Sequence, residues 1–208
     1  MKKSSSRSIY RDSHAEGSLF MRLFNWLRKG LLTLISRLQT QGLRVTLIWL
    51  YARGLPILTG IPVMKYSRIT PNIYVGPQFR QSGKRRLEAL GISASLNLRA
   101  EFDDRGRHLE LPQHCYLPTE DDHAPTMAQL EQGIQFIRQI IVQAGSVYIH
   151  CRGGIGRAPT MTAAYLIDQG ATLDEAIRSI KKSRPFIKIM PLQMQRLTQF
   201  ETTKRSGT

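Results

Sequence analysis

Between Glu16 and Glu88 the 208-residue chain has no acidic residue. The same span carries Arg22, Arg28, Lys29, Arg37, Arg44, Arg53, Lys65, Arg68, Arg80, Lys84, Arg85 and Arg86. From Glu88 onward acids and bases nearly balance, so the formal charge of +15 belongs to the N-terminal part. Such an excess attracts an anionic membrane surface or nucleic acid. Cysteine is scarce: Cys115 and Cys151 cannot build a disulfide framework, which implies a reducing compartment. No uncharged run near the N-terminus reaches the ~18 apolar residues of a spanning helix. The first 17 residues lack the apolar centre of a secretory signal, and Asp12 and Glu16 weigh against a transit peptide. No Gly-Lys-Ser/Thr stands at a Walker offset, and no group of residues has metal-ligand spacing. Neither metal nor cofactor is expected.

What is present centres on His150-Cys151-Arg152-Gly153-Gly154-Ile155-Gly156-Arg157. The apolar run Ser146–Ile149 before it reads as a buried strand, and 158–167 after it as a helix. A cysteine therefore ends a strand, five residues turn, and an arginine opens a helix. The first helical amides have no intrahelical partner and lie at the positive end of the dipole. Gly153, Gly154 and Gly156 let the backbone form a concave nest, and a nest over a helix N-terminus binds phosphate. The field there suits a thiolate nucleophile at Cys151. Arg157 adds a planar grip on two phosphate oxygens. A nucleophile beneath a bound phosphate implies in-line attack on phosphorus. The bland alternative is a strand-turn-helix with a buried cysteine and a helix-capping arginine. Cys115 has two readings as well, a core residue of a strand or a resolving partner for an oxidised Cys151.

Along the chain, residues 1–17 read as a disordered basic tail. Residues 18–40 place Phe20, Leu23, Phe24, Leu27, Leu31, Leu34, Ile35 and Leu38 at helical spacing, with the basic residues off that stripe. Gly42 interrupts, 43–52 form a second apolar stretch, and Gly54-Leu55-Pro56 is expected to end it. Residues 18–60 are thus a pair of basic amphipathic helices, suited to a membrane interface or to packing as additional core helices. Nucleic acid is not expected, because the segment is leucine-rich and lacks the recognised motifs. Strands are expected at 72–76, 93–98, 115–118 and 146–149. Helices are expected within 78–91, from the Thr126 cap with Gln129 three residues on, and at 157–169, 173–184 and 191–204. The apolar set of the helix that Thr126 caps is Leu130, Ile134, Ile137 and Ile141. Alternation of strands and helices predicts an α/β sandwich with a mostly parallel central sheet flanked by helices, over about 65–203, preceded by the N-terminal helical extension. The loop at Cys151 then lies at the ligand-binding carboxyl edge of the strands.

The pattern His-Cys-x-x-Gly-x-x-Arg at 150–157 resembles the signature loop of the cysteine-dependent protein tyrosine and dual-specificity phosphatases. The resemblance runs from Ile69 to Phe200. It implies a cysteinyl-phosphate mechanism with Cys151 as nucleophile and Arg157 holding phosphate, together with the backbone of Arg152, Gly153, Gly154, Ile155 and Gly156. His150 would orient the loop by hydrogen bonding. Family members carry a general-acid Asp about thirty residues before the cysteine, and Leu117-Pro118-Thr119-Glu120-Asp121 places Asp121 there, ahead of Asp122. One position departs from the pattern: Ala158 stands where the family usually has Ser or Thr, whose hydroxyl helps the thiolate leave. Thr160 is the nearest substitute.

Within the family the chain is most similar to the mitochondrial and bacterial phosphatidylglycerophosphate phosphatase branch. Val147-Tyr148-Ile149-His150-Cys151, 161–167 and Asp174-Glu175-Ala176-Ile177 carry that likeness, and Glu101-Phe102-Asp103 looks like its acidic-aromatic pocket loop. The expected substrate is a phosphomonoester on a membrane lipid, phosphatidylglycerophosphate first and phosphoinositides second. Residues 18–60 would hold the protein peripherally on the cytoplasmic side of an anionic membrane. Mitochondrial or soluble cytoplasmic placement are the alternatives. The rival functions are a membrane-tethered phosphotyrosine/phosphoserine/threonine phosphatase acting on phosphoproteins and an inactive phosphate-binding module.

Overall fold

Four strands, all parallel, form the sheet of the computed structural model, in the order β1-β4-β2-β3. They are β1 (Ile73–Pro77), β2 (Ala94–Arg99), β3 (Gln113–Thr119) and β4 (Val147–Cys151). The structure describes residues 9–206. Two compact units divide the chain, residues 1–47 and 48–208. The two inner strands, β2 and β4, are buried along almost their whole length. That burial on both faces explains why they read as near-continuous apolar runs rather than alternating ones.

The helices of the second unit are α2 (Gln81–Ala89), α3 (Met127–Val142), α4 (Arg157–Asp168), α5 (Leu173–Ser183) and α6 (Pro191–Ser206). The Thr126 cap is a full capping box, with the Gln129 amide donating to the Thr126 hydroxyl and the Thr126 amide to the Gln129 side chain. Thr172 and Glu175 build a second box that opens α5. On α3 the buried stripe is Leu130, Gly133, Ile134, Ile137 and Ile140, with Ile141 only partly covered. Ile140 lies seven residues, about two turns, beyond Gly133, so the covered face is shifted toward the Gly133 side of the helix. In α4 every residue from Arg157 to Tyr165 is buried, so this helix forms the centre of the layer behind the sheet.

The N-terminal helix α1 (Ile9–Thr59) is interrupted at Gly42, whose φ of 79° and ψ of 169° are not helical. Of the expected disordered tail, residues 1–8 lie outside the described residues and 9–17 are helical. No proline interrupts that stretch, and extending an existing helix adds a hydrogen bond for each residue fixed. The helix also outruns its expected end at Gly54-Leu55-Pro56. Its stop is Gly60, left-handed at φ +74°, whose amide donates to the Pro56 carbonyl. Residues 48–59 therefore belong to the catalytic unit and not to a separate extension. Ala52 is buried, the Tyr51 ring meets Tyr66 edge-on at 6.4 Å, and the Thr59 carbonyl accepts a hydrogen bond from Ser82 Oγ at 2.7 Å. Among the described residues no helix is long and apolar enough to cross a membrane.

Candidate active site

Because all four strands run the same way, their carboxyl ends share one edge. Register pairs Pro77 with Cys151, Asn97 with His150, and Arg99 with Thr119. The residues just beyond those ends, Gln78, Glu101, Asp121 and the loop 152–156, are thereby gathered from four separate stretches of chain.

Cys151 is the last residue of β4 and is 3% exposed, at the floor of the loop. Gly156 caps α4 and Arg157 opens it, as the sequence predicts. Of the three loop glycines only Gly154 takes the left-handed conformation, at φ +62°. A Cβ there would lie 2.4 Å from the carbonyl carbon of Gly76, so no other residue fits. Arg152 is exposed at the rim. Thr160 does not replace the missing hydroxyl at Ala158: its Oγ1 donates to the Gly156 carbonyl at 2.9 Å.

The Arg157 side chain is 1% exposed and threads between the ends of β2 and β3. Nη1 donates to the Thr119 carbonyl at 2.7 Å, to Leu98 at 3.4 Å and to Glu101 Oε2 at 2.9 Å. Nη2 meets Glu101 Oε1 at 3.0 Å and Asp121 Oδ1 at 2.9 Å. Nε has no partner among the described residues. Burial alone would lower the pKa of this guanidinium, but its hydrogen bonds to Glu101 and the nearby carboxylates raise it instead. Burial likewise pushes the Glu101 carboxyl up, and the hydrogen bonds from Arg157 and Arg99 overcome that and hold it at about 2. Asp121 thus stands in the site through the same arginine, while Asp122 follows in a left-handed turn at φ 63°.

Glu101 of the acidic-aromatic stretch reaches Arg157, whereas Asp103 Oδ1 accepts from the Arg105 amide of its own turn. The next acid, Asp104, is fully buried, with Oδ2 2.8 Å from His150 Nε2. Burial raises the Asp104 pKa, but His150 and the 2.8 Å hydrogen bond from Gln78 Nε2 overcome it, leaving the pKa lowered. Gln78 Oε1 in turn accepts from Arg99, and Arg99 Nε meets Glu101 at 2.9 Å. A continuous polar chain therefore links His150, next to Cys151, to Arg157. His150 joins the site by this route.

Arg184 carries no motif, yet it holds the loop from behind. Nε donates to the Gly154 carbonyl at 2.6 Å, Nη2 to Gly153 at 3.3 Å and Nη1 to Tyr66 at 2.6 Å. Burial lowers its pKa to about 10, which leaves it a cation at neutral pH. Removing it strands buried carbonyls, each worth about 1–3 kcal/mol. Arg184→Met is expected to cost about 3 kcal/mol in urea unfolding and to weaken phosphate binding. An unchanged unfolding midpoint would show that the loop holds itself.

Cys115 does not serve as a resolving cysteine. Leu96 pairs with both Cys115 and Ile149, so Cys115 is two strands from β4 and level with the residue two before Cys151. Two strand spacings are about 9–10 Å, beyond the ~7 Å that a disulfide spans. Burial also pushes its thiol up to about 11.

Comparison with known proteins agrees with this geometry. Residues 73–203 match the family described as "Dual specificity phosphatase, catalytic domain". Dual specificity protein phosphatase 1 of Homo sapiens is 36% identical over 137 residues, 64% of this chain and 36% of that protein. Dual specificity protein phosphatase 1-B of Xenopus laevis matches with the same identity and coverage. The chain thus spans about a third of the length of these curated relatives. The crystal structure of PTPMT1 in complex with PI(5)P superposes with a TM-score of 0.62 and 26% identity, covering 67% of this chain and 96% of that one. Tk-PTP in its active form gives a TM-score of 0.56 and 25% identity over 65% of this chain and 95% of that one.

Proposed function

The chain belongs to the dual specificity phosphatase family of phosphoric monoester hydrolases, and from that premise we propose that it dephosphorylates a membrane lipid through a cysteinyl-phosphate intermediate. Cys151 Sγ attacks phosphorus, forming the S–P bond as the P–O bond to the leaving group breaks. Asp121 gives its proton to the leaving oxygen. It then takes a proton from the water that hydrolyses the thiophosphate, returning Cys151 as thiolate and releasing inorganic phosphate. The amides of 152–157 and the Arg157 guanidinium hold the equatorial oxygens as charge shifts during transfer. With Ala158 after the arginine, no hydroxyl assists departure of the thiolate in the second step.

One observation favours a lipid over a phosphoprotein. Helix α1, which has no acidic residue beyond Glu16, leaves large apolar side chains exposed: Phe24, Leu31, Leu32, Ile35, Leu38, Leu43 and Leu47 in the first unit, and Leu50, Leu55, Ile57 and Leu58 in the second. Exposed leucines beside arginines and lysines, with no carboxylate among them, suit the interface of an anionic bilayer. Each basic residue near such a surface adds about 1 kcal/mol of attraction. PTPMT1, with which the domain superposes, has been solved with the phosphoinositide PI(5)P. Phosphatidylglycerophosphate is the first candidate and a phosphoinositide the second, with the protein peripheral on the membrane.

The test is phosphate release by the full chain in anionic vesicles, comparing phosphatidylglycerophosphate with a phosphotyrosyl peptide and using Cys151→Ser as blank. Preference for the lipid is expected. Preference for the peptide would leave a tethered protein phosphatase. Release from neither substrate would favour a phosphate-binding module.

A further inference from the structure

The helix segment 48–59 lies outside the residues matched by the family, and it brings a cation to the phosphate loop. Arg53 is half-buried, and its Nη1 lies 2.7 Å from the point where a Cβ on Gly153 would be. A Cβ at 153 would push the guanidinium away from the loop backbone. Beside it opens a cavity of about 360 Å³ whose walls include Arg53, Arg80, Arg152, Pro56, Ile57 and Phe79. None of the lining residues is acidic. Among the described residues, none of the three arginines makes an ion pair or a side-chain hydrogen bond. Three guanidiniums around one cavity with no acidic residue in its wall repel one another, and an anion placed among them offsets that repulsion.

The geometry points to a second anion subsite, formed by Arg53, Arg80 and Arg152, that takes the phosphodiester of a substrate whose terminal phosphomonoester sits over Cys151. This inference rests on the lipid reading above and sharpens it: the substrate carries two phosphates joined by a short polyol, as a phosphorylated phospholipid headgroup does. Arg152 lies in both places, at the rim of the phosphate loop and in the wall of the cavity. Of the remaining wall, Pro56, Ile57, Pro77 and Phe79 are apolar and Gln78 is polar, and Leu58 beside Ile57 is 79% exposed. The apolar part of that wall suits the start of the acyl chains. Burial and then repulsion from Arg152 lower the pKa of Arg53, while Asp121 and Cys151 raise it, which places this guanidinium in the field of the reacting groups. Arg53 is thus a specificity-determining residue, and it binds a part of the substrate that does not react.

The test uses the water-soluble headgroups, so that attraction to a bilayer cannot stand in for the subsite. In full-length Cys151→Ser protein, which binds without turnover, calorimetry compares glycerol 3-phosphate with glycerophosphoglycerophosphate, the deacylated form bearing one monoester and one diester. The diester-bearing headgroup is expected to bind at least ~10-fold more tightly. Adding Arg53→Met should bring the two affinities within about 2-fold, and Arg53→Lys should restore part of the difference. Glycerol 3-phosphate binding by Cys151→Ser/Arg53→Met reports that the phosphate loop is still formed. Equal affinities in Cys151→Ser, or a ratio that Arg53→Met leaves unchanged, would overturn the subsite even if the vesicle assay confirms a lipid substrate. A peptide preference in vesicles would overturn the lipid reading, whatever the headgroup affinities are.

Discussion

Cys151→Ser is expected to lower kcat by about 10⁴–10⁶-fold, the scale at which loss of a nucleophile is measured in other covalent enzymes. A serine hydroxyl is a weak nucleophile unless a base stands next to it. The only imidazole adjacent in sequence is His150, and its Nε2 faces Asp104 at 2.8 Å with both side chains fully buried. That histidine is packed against a carboxylate beneath the loop, where it would act as a positioning group. The cradle itself is built from backbone amides and Arg157, none of which changes, so inorganic phosphate should bind the variant about as tightly as the wild type. Steady-state hydrolysis of an aryl phosphate and a phosphate titration check the two halves. Residual activity above one hundredth of wild type would mean that another group attacks phosphorus.

Arg157→Lys is expected to lower kcat/KM by about 10²–10³-fold, the loss seen when one donor to a developing oxyanion is removed. The guanidinium reaches two carbonyls and two carboxylates at once, through Thr119, Leu98, Glu101 and Asp121. A lysine is a point charge without the planar fork and cannot keep Glu101 while gripping phosphate. The variant should also respond differently to acid. Glu101 has its folded pKa depressed from 4.5 to about 2, so its contribution to stability is present above about pH 4.5 and is lost as pH falls through about 2. With lysine at 157 the main hydrogen-bonding partner is gone, the Glu101 pKa returns toward 4.5, and the loss moves to higher pH. Glu101 is 39% exposed, so water screens this pair and the shift in the acid unfolding midpoint should be small. Lysine supporting more than a tenth of wild-type kcat/KM would show that charge alone suffices at this position.

The parts of the site that could be read from sequence are those whose geometry is local. Residues 150–157 are contiguous, and a strand, a turn with a left-handed glycine and a helix start determine where Cys151 and Arg157 fall relative to the amides between them. The Thr126 cap is local in the same sense. Glu101 was legible only through resemblance of the 101–103 stretch to a pocket loop. Nothing in its spacing shows that its carboxylate, and not that of Asp103, meets Arg157. Gln78, Asp104 and Arg184 gave no signal at all, since each acts on a group 26 or more residues away in sequence.

The sequence by itself determined the alternation of strands and helices, the strand-turn-helix that carries Cys151 and Arg157, and the leucine-rich character of the N-terminal helix, acid-free beyond Glu16. These depend on side-chain periodicity and on backbone preferences over a few residues. Tertiary structure alone decided the β1-β4-β2-β3 order, the separation of Cys115 from Cys151, the end of the first helix at Gly60 and the contact of Arg53 with Gly153. Parallel pairing between strands many residues apart is what collects their carboxyl ends, and no local pattern encodes which distant strand lies beside which.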